Sequence, residues 1–286
     1  VKISARWLEA ERMREVELPR RSVAVLSSYA ARYQVWGYGK PLVLVPGLAG
    51  GVRLVTPLAE QLAQRGFHVI AYELRGEDDC FALRQRFGLT ELVDDLHELM
   101  SELYLEQPLV LGVSFGGQIA LSYAARYPSR LAGVIAQGVN VRFERSLLRQ
   151  VAGQVLSRFP LPSDSPFINQ FFNLLFGGRP ASRLLAEFVT RASWQTDQSI
   201  IAHRFRLAEK ADMRPLLEKL RLPLLLVRGL RDLLISDDGW EEMTSRLPHA
   251  IAKELPDAGH LAFVTHTEAL AQLVSEFASS WDGMRN

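Results

Sequence analysis

From Pro108 to Ala125 the chain runs for 18 residues without a charge. A stretch of that length and polarity could cross a membrane, but its residues are ordered in a way that a span does not need. Pro108 to Val113 is a short apolar run of strand character. Gln118-Ile119-Ala120-Leu121-Ser122-Tyr123-Ala124-Ala125 is a run of good helix formers. Between them stands Gly112-Val113-Ser114-Phe115-Gly116-Gly117. A strand that turns at once into a helix brings two backbones so close that a Cβ would clash, which gives the flanking glycines a physical reason. The same turn forces its central serine into a strained conformation and lifts the hydroxyl clear of the sheet. The stretch therefore reads as buried strand, tight turn and buried helix.

Two later segments have related punctuation. Pro223 to Arg228 is an apolar run that ends in Gly229-Leu230-Arg231-Asp232. Ala250 to Leu255 alternates like a strand and leads into Pro256-Asp257-Ala258-Gly259-His260. Ser114, Asp232 and His260 thus each follow the C-terminal end of an expected strand, where open α/β sheets bind ligands. The three residue types complement one another. A serine hydroxyl must lose its proton as it attacks, an imidazole can take that proton and later deliver it, and a carboxylate can hold the imidazole in the right tautomer. Asp237 and Asp238 lie near Asp232 but lack the Gly-x-x-Asp spacing, and Asp257 is too near His260 in sequence to orient it. After the preceding strand, where a carboxylate could also serve, the chain reads Gln137-Gly138-Val139-Asn140.

Around these segments, strand and helix patterns alternate. Ser22 to Ser28 and Ala31 to Trp36 suggest an antiparallel pair. Leu42 to Val45, Phe67 to Tyr72 and Leu131 to Gln137 are further strands, and Leu54 to Arg65 and Leu89 to Leu105 have helical spacing. Such a rhythm implies a mostly parallel sheet covered by helices on both faces. It breaks over 141–221, where helical patterns are interrupted by Pro160-Leu161-Pro162 and Gly177-Gly178-Arg179-Pro180. It resumes with Leu222 to Arg228, Trp240 to Arg246, Ala250 to Leu255 and Glu268 to Ala278. The organisation expected is an N-terminal extension over 1–21, a core over 22–140 and 222–286, and a helical insertion over 141–221.

With chain order Ser, Asp, His at three strand ends and a Gly-x-Ser-x-Gly turn between strand and helix, the chain resembles the α/β-hydrolase superfamily from about Ser22 to Ser280. Within it, the chain is most similar to the helical-lid enzymes that include carboxylesterases, proline iminopeptidases and C–C bond hydrolases. The resemblance implies a nucleophile elbow at Ser114, a catalytic triad with Asp232 and His260, and a lid formed by 141–221. It also implies an oxyanion hole of two backbone N–H donors, one from Phe115 and one from Leu48 in the loop Val45-Pro46-Gly47-Leu48-Ala49-Gly50-Gly51. Relatives commonly carry His-Gly where this chain has Pro46-Gly47. A second departure is Glu73-Leu74-Arg75-Gly76-Glu77-Asp78-Asp79-Cys80, where relatives often read Asp-x-Arg-Gly-x-Gly-x-Ser. The acids Glu77, Asp78 and Asp79 read as a solvated loop, since sequence neighbours point apart and make poor metal ligands.

The expected function is hydrolysis of a small, largely apolar ester through an acyl-enzyme on Ser114, with no cofactor. C–C bond hydrolysis by the same three residues stays open, as does a hydrolase-like binding or signalling protein. A serine at the elbow disfavours the enzymes with an aspartate nucleophile, and the glycine-rich loop lacks the Gly-Lys-Ser/Thr ending of a phosphate cradle.

Net charge is +1, and there is no basic run with interleaved aromatics, so nothing points to nucleic acid. A lone cysteine, Cys80, suits a reducing compartment, and residues 1–20 contain no apolar signal-peptide region, so a cytoplasmic setting is expected. From Val141 to Leu220 there are 12 Arg/Lys against 7 Asp/Glu. Arg142, Arg145 and Arg149 recur on one helical face, which reads as solvated, with an acidic carrier protein as the lesser alternative. Phe159, Phe167, Phe171, Phe172, Leu174, Leu175 and Phe176 either line an acyl pocket or pack the lid itself.

Overall fold

The apolar runs pair side by side. In the computed structural model, which describes residues 22–77, 86–142, 166–179 and 181–285, they form one eight-stranded sheet in the order β1-β2-β4-β3-β5-β6-β7-β8. The strands are β1 (Ser22–Val25), β2 (Ala30–Trp36), β3 (Lys40–Val45), β4 (Phe67–Tyr72), β5 (Leu109–Val113), β6 (Gly133–Gln137), β7 (Leu224–Gly229) and β8 (Ile251–Leu255). The pairs β1–β2 and β2–β4 are antiparallel, and every other pair is parallel. Residues 1–21, expected to form an extension, lie outside the described residues.

Alternation along each central strand feeds two separate cores. Leu42, Leu44, Leu109, Leu111, Val113, Leu225 and Val227 face one side, with α1 (Gly51–Ala63), α9 (Ala262–Thr265) and α10 (Thr267–Arg285) packed over them. Val43, Val45, Val110, Leu224 and Leu226 face the other, under α2 (Leu89–Glu102), α3 (Phe115–Arg126) and α8 (Asp237–Arg246). Burial of each such side chain contributes about 1.5–3 kcal/mol, so the pattern that reads as uninterrupted apolar runs is what a sheet covered on both faces requires.

One element differs from its expected bounds. Helix α1 begins at Gly51, three residues before the expected Leu54, because a remote side chain caps it: Glu73 Oε2 accepts the Val52 N–H at 3.0 Å. Strand β8 forms where the alternation places it. Ile251, Ala252, Lys253 and Glu254 are all exposed and only Leu255 is buried. As the last strand it pairs only with β7, and its charged residues suit an open edge.

The interruption after β6 is helical where it is described: α4 (Pro166–Leu175), α5 (Arg183–Ser193), α6 (Gln198–Lys210) and α7 (Arg214–Leu217). Its two ends are tied together, since Arg142 bridges Asp212 and the Met213 N–H donates to the Val141 carbonyl at 2.8 Å. The insertion thus leaves and re-enters the sheet at one place. Arg145, Arg149 and Phe159 lie outside the described residues, as do Asp78, Asp79 and Cys80. Among the described residues no helix is long and apolar enough to cross a membrane.

The strand order places β3 between β4 and β5. The chain leaves β3 in one direction to build β4 and returns across it to build β5. The crevice at the carboxyl ends of β3 and β5 is therefore the topological switch point, where α/β sheets hold their ligands.

Candidate active site

At that crevice β5 turns into α3 through Ser114, whose φ of 53° and ψ of −121° lie in a region that L-residues rarely occupy. Such a conformation costs about 1–3 kcal/mol and has to be held by its surroundings. The Ser114 N–H donates to the Gln137 carbonyl at 2.7 Å, and the Gly117 N–H donates to the Ser114 carbonyl at 2.9 Å. The flanking glycines are required by contact. A Cβ on Gly112 would stand 2.3 Å from the Gly116 oxygen, and one on Gly116 would stand 2.2 Å from the Val45 oxygen. The turn is wedged between its own strand and the end of β3.

The three residues at strand ends converge. His260 Nδ1 lies 2.8 Å from Asp232 Oδ2, and His260 Nε2 lies 2.8 Å from Ser114 Oγ. A carboxylate only accepts, so Nδ1 carries the ring proton and Nε2 is left as the acceptor of the serine hydroxyl proton. Asp232 is itself fixed, because its Oδ1 accepts the N–H groups of Leu234 at 2.9 Å and Ile235 at 3.3 Å. Gln137, where a carboxylate could have stood, donates from Nε2 to the His260 carbonyl at 3.1 Å and so supports the histidine loop. The rival acids point elsewhere. Asp237 is 85% exposed and pairs with Arg228, and Asp257 is 69% exposed and pairs with Arg179.

Both expected oxyanion donors border the serine. Phe115 is the first residue of α3, so its N–H belongs to the first turn, where helical amides have no intrahelical acceptor. The loop bearing Leu48 lies directly against the elbow: a Cβ on Gly47 would be 3.6 Å from Ser114 Cβ.

That loop is held by Arg204 and Thr196, to which nothing local in the sequence points. Arg204 of α6 is fully buried. Its Nη1 donates to the Leu48 carbonyl at 3.0 Å and pairs with Glu77 Oε1, while Nη2 donates to the carbonyls of Leu74 at 3.1 Å and Arg75 at 2.9 Å. Thr196 Oγ1 accepts the Gly50 N–H at 2.9 Å and donates to Glu77 Oε2 at 2.7 Å. Glu77 is therefore no solvated acid. The guanidinium that buries it comes from 127 residues further along the chain. Beside Arg204, His203 donates from Nε2 to the Phe87 carbonyl at 2.6 Å, and burial holds its pKa below the ordinary imidazole value.

The insertion also reaches the histidine side. The Leu261 N–H donates to the Leu175 carbonyl at 3.3 Å, Arg231 Nη2 donates to the Gly177 carbonyl at 2.8 Å, and a Cβ on Gly259 would meet the Phe176 carbonyl carbon at 2.5 Å. Phe172, Leu175 and Phe176 are buried in the cluster that includes α1 and α10, Phe171 packs against its margin, and Leu174 is 42% exposed.

The sequence profile of the family described as alpha/beta hydrolase fold matches residues 40–267. The chain belongs to the α/β-hydrolase fold family. Among similar proteins, this α/β hydrolase is 23% identical over 255 residues to the AB hydrolase superfamily protein YisY of Bacillus subtilis, covering 85% of this chain and 93% of the relative. It is 28% identical over 249 residues to the pimeloyl-[acyl-carrier protein] methyl ester esterase of Chromobacterium violaceum, covering 84% and 94%. Its fold matches the crystal structure of a bromoperoxidase from Bacillus anthracis with a TM-score of 0.81 at 20% identity, over 91% of this chain and all of that one.

Proposed function

We propose that this α/β hydrolase is a serine hydrolase that cleaves a small, largely apolar ester through an acyl-enzyme on Ser114. The observation that carries the reading is the continuous hydrogen-bonded line from Asp232 through His260 to Ser114, set on a serine held at positive φ. As Ser114 Oγ attacks the ester carbonyl, its proton passes to His260 Nε2, and Asp232 offsets the charge on the ring. The carbonyl oxygen becomes an oxyanion facing the amides of Leu48 and Phe115. The imidazolium then protonates the departing alcohol. Water, deprotonated by His260, attacks the acyl-enzyme and releases the acid.

An ester rather than another carbonyl substrate is supported by the relatives named as methyl ester esterases. The acyl-carrier protein in their names also supports a carrier protein as the bearer of the acyl group. The test is a panel of p-nitrophenyl esters of increasing acyl length. The unaltered protein should turn over at least the short members, and Ser114→Ala should lower kcat by on the order of 10⁴-fold or more while the chain stays folded. Near-normal turnover by Ser114→Ala would end the covalent reading.

A further inference from the structure

One buried ion pair near the site takes no part in the hydrolytic steps. Arg204 is 0% exposed, and its partner Glu77 has a side chain that is 5% exposed. A buried ion pair is a costly way to join two segments, since apolar packing of similar volume holds a fold as well or better. Besides the ion pair, Nη1 and Nη2 of this guanidinium donate to main-chain carbonyls in two loops, at Leu48 after β3 and at Leu74 and Arg75 after β4. The loop after β3 is where anchoring matters. Pro46 has no N–H to donate, and Gly47 leaves the backbone free to rotate just before Leu48. The restraint comes from downstream instead, at three points in succession. The Leu48 carbonyl is held by Arg204, the Gly50 N–H by Thr196, and the Val52 N–H by Glu73. Two of those three anchors belong to the insertion.

We propose that Arg204 and Thr196 are positioning residues: by fixing the Leu48 carbonyl and the Gly50 amide, they hold the Pro46–Gly51 loop so that the Leu48 N–H faces the oxyanion. The inference rests on the hydrolytic reading above, and it makes the insertion a structural part of the oxyanion hole. Arginine suits the task because one planar group supplies several fixed donors, whereas lysine offers a single mobile point charge. Displacing a preorganised donor by about 1 Å costs up to about 10²-fold in rate, and the loss falls on the transition state because the charge develops only there.

The test uses the full chain, one p-nitrophenyl ester and the trifluoromethyl ketone of the same acyl group, which forms a tetrahedral adduct on an active serine. Thr196→Val keeps the side-chain shape and removes the hydroxyl. It should lower kcat by about 10- to 100-fold, leave KM within about twofold, and weaken the ketone by the same factor as kcat/KM. Thr196→Ser should restore all three. Arg204→Lys should show the same split, with far-ultraviolet circular dichroism confirming a folded chain. Unchanged kcat and ketone affinity in both Thr196→Val and Arg204→Lys would overturn the proposal, as would activity losses that merely track the unfolded fraction. If the unaltered protein shows no Ser114-dependent turnover, the hydrolytic reading fails first and takes this inference with it. If turnover is present and these variants are normal, only the positioning role fails.

Discussion

Asp232 divides its two oxygens between a ring and a backbone. Oδ2 faces His260 Nδ1 at 2.8 Å, while Oδ1 accepts from the amides of Leu234 and Ile235. In Asp232→Asn the surviving carbonyl oxygen should keep the two amides, which leaves its NH2 pointing at Nδ1. That ring nitrogen must then accept, the proton moves to Nε2, and Ser114 loses its base. The expected cost is on the order of 10³- to 10⁴-fold in kcat, with little change in stability. Asp237→Asn removes an exposed partner of Arg228 and should leave kcat essentially unaltered. Steady-state kinetics of the two variants side by side check this, and a larger loss in Asp237→Asn would reassign the acid.

The elbow glycines give a stability prediction. A Cβ on Gly116 would meet two backbone oxygens, of Val45 at 2.2 Å and of Pro46 at 2.4 Å, and neither can move without dragging β3. Gly116→Ala should cost about 3 kcal/mol or more. Gly66 has a φ of 83° but nothing within 4 Å of its Cβ position, so Gly66→Ala should cost only about 1–2 kcal/mol. Urea denaturation of both variants measures the difference, and equal costs would contradict the close approach.

Stability should also fall toward acid. Burial lowers the pKa of both His203 and His266 in the folded chain. Between the folded value and the ordinary value of about 6.5, the unfolded chain binds more protons than the folded one. Stability from these residues is thus complete above that ordinary value and is lost as pH falls below it, until the folded values are passed. His203→Gln can still donate to the Phe87 carbonyl but does not titrate. The stability advantage of the unaltered protein over this variant should therefore shrink as pH falls below about 6.5. A constant difference from pH 8 to pH 5 would show that His203 is not held neutral.

What was legible in the sequence was local or ordered along the chain. The elbow could be read because one run of residues carries the strand, the turn glycines and the helix together. The convergence of Asp232 and His260 on Ser114 could be anticipated because each follows a strand end. Arg204 could not. In Ala202-His203-Arg204-Phe205-Arg206 nothing local distinguishes the arginine that is fully buried from its neighbour, because the acceptors that bury it are main-chain carbonyls at Leu48, Leu74 and Arg75. The pairing of Glu77 is hidden for the same reason. A run of acids signals solvent unless its cation is known, and here the cation arrives with α6. Strand β8 shows the converse limit, since alternation in sequence does not reveal whether a strand has a neighbour on both sides.

Hydrolysis through an acyl-enzyme requires Ser114 to be an activated nucleophile. The most direct measurement is intact-mass and peptide mapping after treatment of the full chain with a fluorophosphonate probe. The expected result is one adduct per chain, located on the peptide carrying Ser114, formed rapidly in the unaltered protein and slowed on the order of 10³-fold or more in His260→Ala. A protein that stays unlabelled, or that is labelled elsewhere at the same rate in both forms, would contradict it.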